Sequence, residues 1–143
     1  KLNTVQYLNQ LSTMKSIIKT KRMEISDLKE MIYGISSPNY KEKVQTTPNF
    51  DKIGSCIAKI DERERELLLS VNQYVEKAKE IENQIEEMDS KNDYEVLSLR
   101  YIGCMGFEEI SKRMNYSRRQ ITRIHQKAIK NFEKKSVYLY KMS

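Results

Sequence analysis

A dense row of basic side chains lies towards the C-terminal end of the sequence, where it could bind a polyanion. Between Ile110 and Lys135 there are nine Lys or Arg residues and one acidic residue, Glu133. Guanidinium and amide groups can form hydrogen bonds to base edges, and ammonium groups can neutralise phosphates. This local excess of positive charge predicts a nucleic-acid-binding surface. Its candidate side chains are Arg118, Arg119, Thr122, Arg123, Gln126, Lys127 and Lys130.

The apolar residues around this row predict two short helices joined by a sharp turn. Phe107, Ile110 and Met114 recur at the spacing of one helical face. Asn115 follows them, and asparagine tolerates a left-handed backbone better than any residue except glycine. Ser117 can accept a hydrogen bond from an amide at the start of the next helix. The pattern therefore predicts a helix-turn-helix, and the buried stripe of its last, DNA-reading helix is Ile121, Ile124, Ala128 and Phe132.

The same segment resembles region 4 of bacterial sigma factors, the domain that reads the upstream promoter element. The resemblance implies binding to double-stranded DNA, with base contacts from Arg118, Arg119 and Arg123. We add Thr122 to this group of base-contacting residues. Phosphate contacts are expected from Arg113, Ser117, Gln126, Lys127, Lys130 and Lys134. The sequence has Asn115 in place of a usual glycine, and Arg119 and Arg123 in place of a usual acidic residue and glutamine. The matching positions are Leu97, Leu99, Arg100, Tyr101, Phe107, Glu108, Glu109, Ile110, Tyr116, Ser117, Arg118, Ile121, Ile124, Ala128 and Phe132.

A long helical segment precedes the helix-turn-helix, and this layout resembles the ArpU and RinA-like regulators of temperate phages of Gram-positive bacteria. The resemblance implies a phage-encoded, sigma-like activator of late genes that works in the cytoplasm of the bacterial host. Two alternatives remain open. One is a packaging adaptor similar to a phage terminase small subunit, which also combines a DNA-binding head with helical oligomerisation. The other is an adaptor whose head docks on host RNA polymerase.

The composition favours long helices and argues against enzymatic chemistry. Hydrophobic residues make up 38% of the chain and charged residues 32%, with four glycines, two prolines and no tryptophan, which is typical of an all-α protein. Cys56, Cys104 and the single histidine, His125, give no metal-ligand spacing, so no metal or cofactor is expected. We expect His125 to pack or to lie near a phosphate rather than to catalyse a reaction. The lack of a long apolar run predicts a soluble, intracellular protein with no membrane partner.

Two long amphipathic helices are predicted ahead of the basic row, at about residues 3–33 and 48–89, with a loop at 34–47. The second has a heptad pattern interrupted only by Glu64, which we expect to set the register or to pair with a lysine of the first helix. One helix cannot bury such a stripe alone. It can pair with the first helix in an antiparallel hairpin or with a second copy in a homodimer, and the two combine readily. The heptad positions are Ile53, Ile57, Ile60, Glu64, Leu67, Val71, Tyr74, Ala78, Ile81, Ile85 and Met88.

The predicted organisation is a helical hairpin at 1–89, a helix-turn-helix domain at 90–135 and a short tail at 136–143. Ser90 followed by Asp93 predicts a new helix N-terminus where the heptad pattern ends. The formal net charge is +4 over residues 1–48, −4 over 49–92 and +6 over 93–143. The C-terminal segment is therefore the expected DNA-binding part.

Overall fold

The protein has an all-α fold, as the sequence predicted. The computed structural model describes residues 2–36 and 50–141, and these residues form helices and turns without a β-strand. The helices are α1 (Thr4–Ser36), α2 (Phe50–Glu86), α3 (Lys91–Leu97), α4 (Phe107–Met114) and α5 (Arg118–Lys141). A π-helical turn, Ser98–Ile102, follows α3 directly. No helix among the described residues combines the length and apolar content needed to cross a bilayer.

Several helix ends differ from the sequence-based boundaries. α1 continues to Ser36 because Gly34 does not take the left-handed conformation that would end a helix. α2 ends at Glu86, where a turn closed by the Met88 amide and the Ile85 carbonyl leads to α3. α5 continues to Lys141, so the segment predicted as a tail from residue 136 begins inside a helix. The predicted helix start at residue 48 and most of the predicted loop lie outside the described residues.

The structure divides into two compact units, which we describe separately. The head unit consists of residues 1–14 and 74–143, and the helix-pair unit consists of residues 15–73. The sequence-based boundary at residue 90 therefore falls inside the head unit. The head unit extends beyond residue 90 towards the N-terminus because its main hydrophobic core includes side chains from the first turns of α1 and the last turns of α2.

The main core of the head unit joins four segments that are distant in sequence. The Tyr7 and Phe132 rings lie 6.3 Å apart between centroids. The Tyr7 hydroxyl donates to Gln84 Oε1 at 2.8 Å, and burial of the phenol, ahead of the nearby Glu80, raises the pKa of Tyr7 to about 12. The buried members of this core are Tyr7, Leu8, Leu11, Ile81, Ile85, Met88, Leu97, Tyr101, Ala128 and Phe132.

In the helix-pair unit, ion pairs between α1 and α2 show that the two helices run antiparallel. Lys21 pairs with Glu66 at 3.5 Å and Glu24 pairs with Arg63 at 3.7 Å. Lys29 pairs with Glu64 at 3.4 Å, which confirms the expected bond between Glu64 and a lysine of the first helix.

Two predicted heptad positions of α2, Ile57 and Glu64, are exposed, and the prediction for Ile57 was wrong. The Ile57 side chain is 52% exposed, whereas the neighbouring Cys56 is buried. Residues 53, 56 and 60 share one helical face through their three and four spacing, so Cys56 occupies the place expected for Ile57.

Candidate nucleic-acid interface

The turn between α4 and α5 has the backbone geometry that its sequence predicts. Asn115 adopts the left-handed conformation, with φ 57° and ψ 40°, and ends α4. The Tyr116 amide then donates to the Ser111 carbonyl at 3.1 Å, a closure that satisfies one of the free carbonyls at the end of α4. The chain therefore changes direction within three residues, which brings the start of α5 next to α4.

α5 begins with a reciprocal capping box. The Gln120 amide donates to Ser117 Oγ at 3.2 Å, and the Ser117 amide donates to Gln120 Oε1 at 2.9 Å. Ser117 is thus the N-cap, as predicted from the sequence. Its hydroxyl hydrogen is not used by the cap, so this group keeps a donor for a phosphate oxygen.

The inner face of α5 is held by two hydrophobic clusters. Ile121 is fully buried with Ile110 of α4 and Val96 of α3, and Ile124 packs against this second, smaller cluster. Further along α5, Ala128 and Phe132 are fully buried in the main core. These contacts fix the rotation of α5 about its axis, and this rotation determines which side chains face solvent.

The outer face of α5 carries the predicted DNA-binding side chains. We call this surface the reading face. Arg119, Arg123, Gln126 and Lys130 recur at four, three and four residues, so they form one line of about 16 Å along the helix. The structure brings the following exposed residues together on the reading face: Arg118, Arg119, Thr122, Arg123, Gln126, Lys127 and Lys130.

Within residues 2–36 and 50–141, the charges of the reading face have no ion-pair partner. Among the described residues, no acidic side chain forms an ion pair with Arg119, Arg123 or Lys130. Thr122 is different, because its hydroxyl donates to the Arg118 carbonyl of the same helix at 3.0 Å. Only the acceptor side of Thr122 therefore remains for a base or a bound water.

The remaining phosphate candidates flank the reading face. Arg113 is exposed at the end of α4. Lys134 is exposed on the second half of α5 and lines a cavity of about 260 Å³ together with Asp89 and Asp93. Because these carboxylates repel a phosphate, Lys134 is the least favourably placed of the phosphate candidates.

A cluster of polar and aromatic side chains packs around His125 in the middle of α5. His125 Nε2 lies 2.7 Å from the Tyr101 hydroxyl, and the His125 and Phe107 rings form a T-shaped pair with centroids 5.0 Å apart. Arg100 covers the Phe107 ring at 4.4 Å and donates to the Met105 carbonyl at 2.9 Å. Burial and, to a smaller degree, the Arg100 charge lower the pKa of His125. His125 is therefore a packing residue, which was one of its two expected roles.

Two polar contacts that sequence reasoning missed fix the second half of α5. Asn131 Nδ2 donates to the buried Asp93 at 2.7 Å. Lys135 Nζ lies 2.9 Å from Asp89 and donates to the Glu87 carbonyl at 2.6 Å, where it caps the end of α2. No local pattern relates these partners, because they lie about forty residues apart in sequence. Lys135 was counted in the basic row, but its ammonium group is paired with Asp89 at the surface of the head unit.

The chain matches a known protein family over most of its length. The model of a family described as protein of unknown function (DUF1492) matches residues 35–133, well over half of the chain. This span includes α2 and the whole segment from α3 to the reading face. Neither the curated proteins nor the solved structures contain a match.

Proposed function

Because the chain belongs to the family of proteins of unknown function DUF1492, whose description names no activity, we propose its function from the geometry of the head unit. The protein is a non-enzymatic, sequence-specific regulator of transcription that inserts α5 into the major groove of double-stranded DNA. Arg118, Arg119 and Arg123 contact bases, with Thr122 beside them.

One observation carries this proposal, namely the two opposite faces of α5. Ile121, Ala128 and Phe132 are fully buried, so the helix cannot rotate to hide its other side. The opposite side presents Arg119 and Arg123 to solvent without an acidic partner among the described residues. Arginine matches guanine O6 and N7 with two parallel hydrogen bonds, and a groove about 12 Å wide admits one helix.

The flanking basic residues supply the part of the affinity that does not depend on sequence. Arg113, Lys127 and Lys130 hold phosphates, with a weaker contribution from Lys134 beside Asp89 and Asp93, while the Ser117 hydroxyl and the Gln126 amide add neutral hydrogen bonds. Each neutralised phosphate releases condensed counterions. Three to four such contacts give a slope of roughly −3 to −4 for the logarithm of the binding constant against the logarithm of salt concentration.

The biological role follows from the resemblance to region 4 of sigma factors and to phage late regulators. The protein acts in the cytoplasm of a bacterial host as a phage-encoded activator of late genes. Recruitment of host RNA polymerase to the bound site is the step that turns DNA binding into activation.

The decisive experiment uses the full chain and DNA fragments from its source genome. Fragments retained at low salt identify a cognate site, and fluorescence anisotropy then compares that site with random DNA. Arg123→Ala should weaken cognate binding by about 1 to 3 kcal/mol, roughly 5- to 150-fold, and should affect random DNA far less. Lys130→Ala should weaken both alike and reduce the magnitude of the salt slope by about one.

A matched control removes one positive charge elsewhere. Lys59 is exposed on α2 in the helix-pair unit, so Lys59→Ala should leave both affinities nearly unchanged. Equal losses on cognate and random DNA for Arg123→Ala would show that this side chain does not read bases. Absence of any DNA binding at low salt, combined with binding to polymerase in footprinting and pull-down experiments, would replace the proposal by the polymerase adaptor.

A further inference from the structure

The two edges of the helix-pair unit differ in how their charges are arranged. Glu24 and Lys29 are separated by five residues, which is about 140° around α1, and the buried Ile25 lies between them. The ion pairs Glu24–Arg63 and Lys29–Glu64 therefore lie on opposite edges. On the edge of Glu24, Arg63 pairs with both Glu24 and Glu66, whereas on the edge of Lys29 the described residues show the single ion pair Lys29–Glu64.

The second edge carries an acidic and apolar stripe on α2. Ile57, Asp61, Glu64 and Leu68 follow the four, three, four spacing of one helical face. All four side chains are exposed, and the exposed fractions of Ile57 and Leu68 are 52% and 61%. This face of α2 therefore alternates aliphatic side chains with carboxylates, a combination that can pack against lysine and arginine side chains.

The α1 part of the same edge is basic. Lys15, Lys19, Arg22 and Lys29 follow a four, three, seven spacing and are exposed on one face of α1. The ion pairs Lys21–Glu66 and Glu24–Arg63 show that this part of α1 and the stripe on α2 lie at the same position along the helix axes. One edge of the helix-pair unit thus has a positive side and a negative, apolar side at the same height. We call it the complementary edge.

We propose that a second copy of this chain packs on the complementary edge and forms a four-helix dimer. A two-fold axis parallel to the helices places the basic stripe of each α1 against the acidic, apolar stripe of α2 in the other copy. An axis perpendicular to the helices would instead oppose α1 to α1, with like charges facing each other. Arg22 of one copy then lies opposite Asp61 and Glu64 of the other, and Leu68 is covered by the aliphatic stems of the lysines.

The charge pattern favours a second copy over other occupants. A surface that is positive on one side and negative on the other complements itself after a two-fold rotation. A polyanion would be attracted by the basic stripe of α1 but repelled by Asp61 and Glu64. A basic peptide would be attracted by these carboxylates but repelled by α1. The inference goes beyond the proposed function and is tested without DNA, so either can fail alone.

The test compares two adjacent leucines of similar exposure. Leu68 lies on the complementary edge, whereas Leu69 is 64% exposed and points about 140° away from Glu64. Sedimentation equilibrium of the full chain should give a dimer for the wild type and for Leu69→Asp. Leu68→Asp should raise the dimer Kd by at least about 100-fold, because it places a charge in the apolar contact.

A charge exchange provides a second, independent readout. Arg22→Glu should weaken the dimer about tenfold, and adding Asp61→Arg should restore most of the loss, since the two residues face each other across the proposed interface. If circular dichroism shows that Leu68→Asp has lost helix, the comparison of Arg22→Glu with the Arg22→Glu, Asp61→Arg double variant tests the proposed dimer instead. A wild-type monomer at all accessible concentrations would overturn the proposal. So would a large ring, which would favour the packaging adaptor, or equal effects of the two leucine variants.

Discussion

The replacement Leu8→Ala should destabilise the head unit even though Leu8 is remote in sequence from the reading face. Its side chain is fully buried in the main core that also contains Phe132 and Leu97. Truncation to alanine removes three carbon atoms, worth about 0.8 kcal/mol each in lost burial. The cavity left behind adds to this loss, so the expected decrease in the free energy of unfolding is about 2 to 5 kcal/mol. That is a large share of the roughly 5 to 15 kcal/mol typical of a folded domain.

The measurement is urea unfolding followed by circular dichroism, together with amide hydrogen exchange of α5. Exchange of the α5 amides should accelerate in Leu8→Ala, because the helix packs on the residue that is truncated. The control is Val5→Ala on the same helix, where the side chain is 38% exposed and the expected cost is below about 0.5 kcal/mol. A loss below about 1 kcal/mol for Leu8→Ala, or a loss equal to that of Val5→Ala, would refute the view that α1 forms part of the core beneath α5.

Three further outcomes follow from single contacts in the head unit. Burial lowers the pKa of His125 below its ordinary 6.5. The contribution of the neutral His125 ring to the free energy of unfolding is therefore complete above pH 6.5 and is lost as the pH falls below that value. His125→Gln should flatten this part of the pH profile of unfolding. Ser117→Ala removes the N-cap of α5 and should cost about 1 kcal/mol in urea unfolding. A Cβ at Gly103 would lie 2.8 Å from the Leu99 carbonyl oxygen, whereas one at Gly106 would meet nothing within 4 Å; Gly103→Ala should therefore lower the melting temperature clearly more than Gly106→Ala, and the reverse order would contradict the close approach.

Local sequence signals predicted the helices and the turn of the head unit well. Asn115 and Ser117 act through neighbouring backbone groups, so their roles follow from residue type and spacing alone. The buried positions Ile121, Ala128 and Phe132 were equally predictable, since a helical period identifies them. The exposure of the reading face follows from the same period, and its contact with DNA stays a prediction.

The division into units could not be predicted because it depends on contacts between distant segments. Periodicity shows that Leu8 and Ile85 face a core, but it does not show that both face the core of α5. The same limit explains the error at Ile57. Cys56 and Ile57 both keep a three or four spacing from Ile53 and from Ile60, so the helical period alone does not decide which of them is buried. The structure buries Cys56 and exposes Ile57.

The contact between the tilted rings of Tyr7 and Phe132 has a consequence for how the protein is made. A ribosome releases the first of these residues long before the second, so the main core stays open until nearly all of the described chain has emerged. Until then Leu8 and Leu11 lack their partners on α5, and the incomplete core is available to chaperones or to neighbouring nascent chains. Loop closure between such remote residues is also slow. We therefore expect α5 to acquire protection last, in a step that completes both the core and the DNA-facing surface at once.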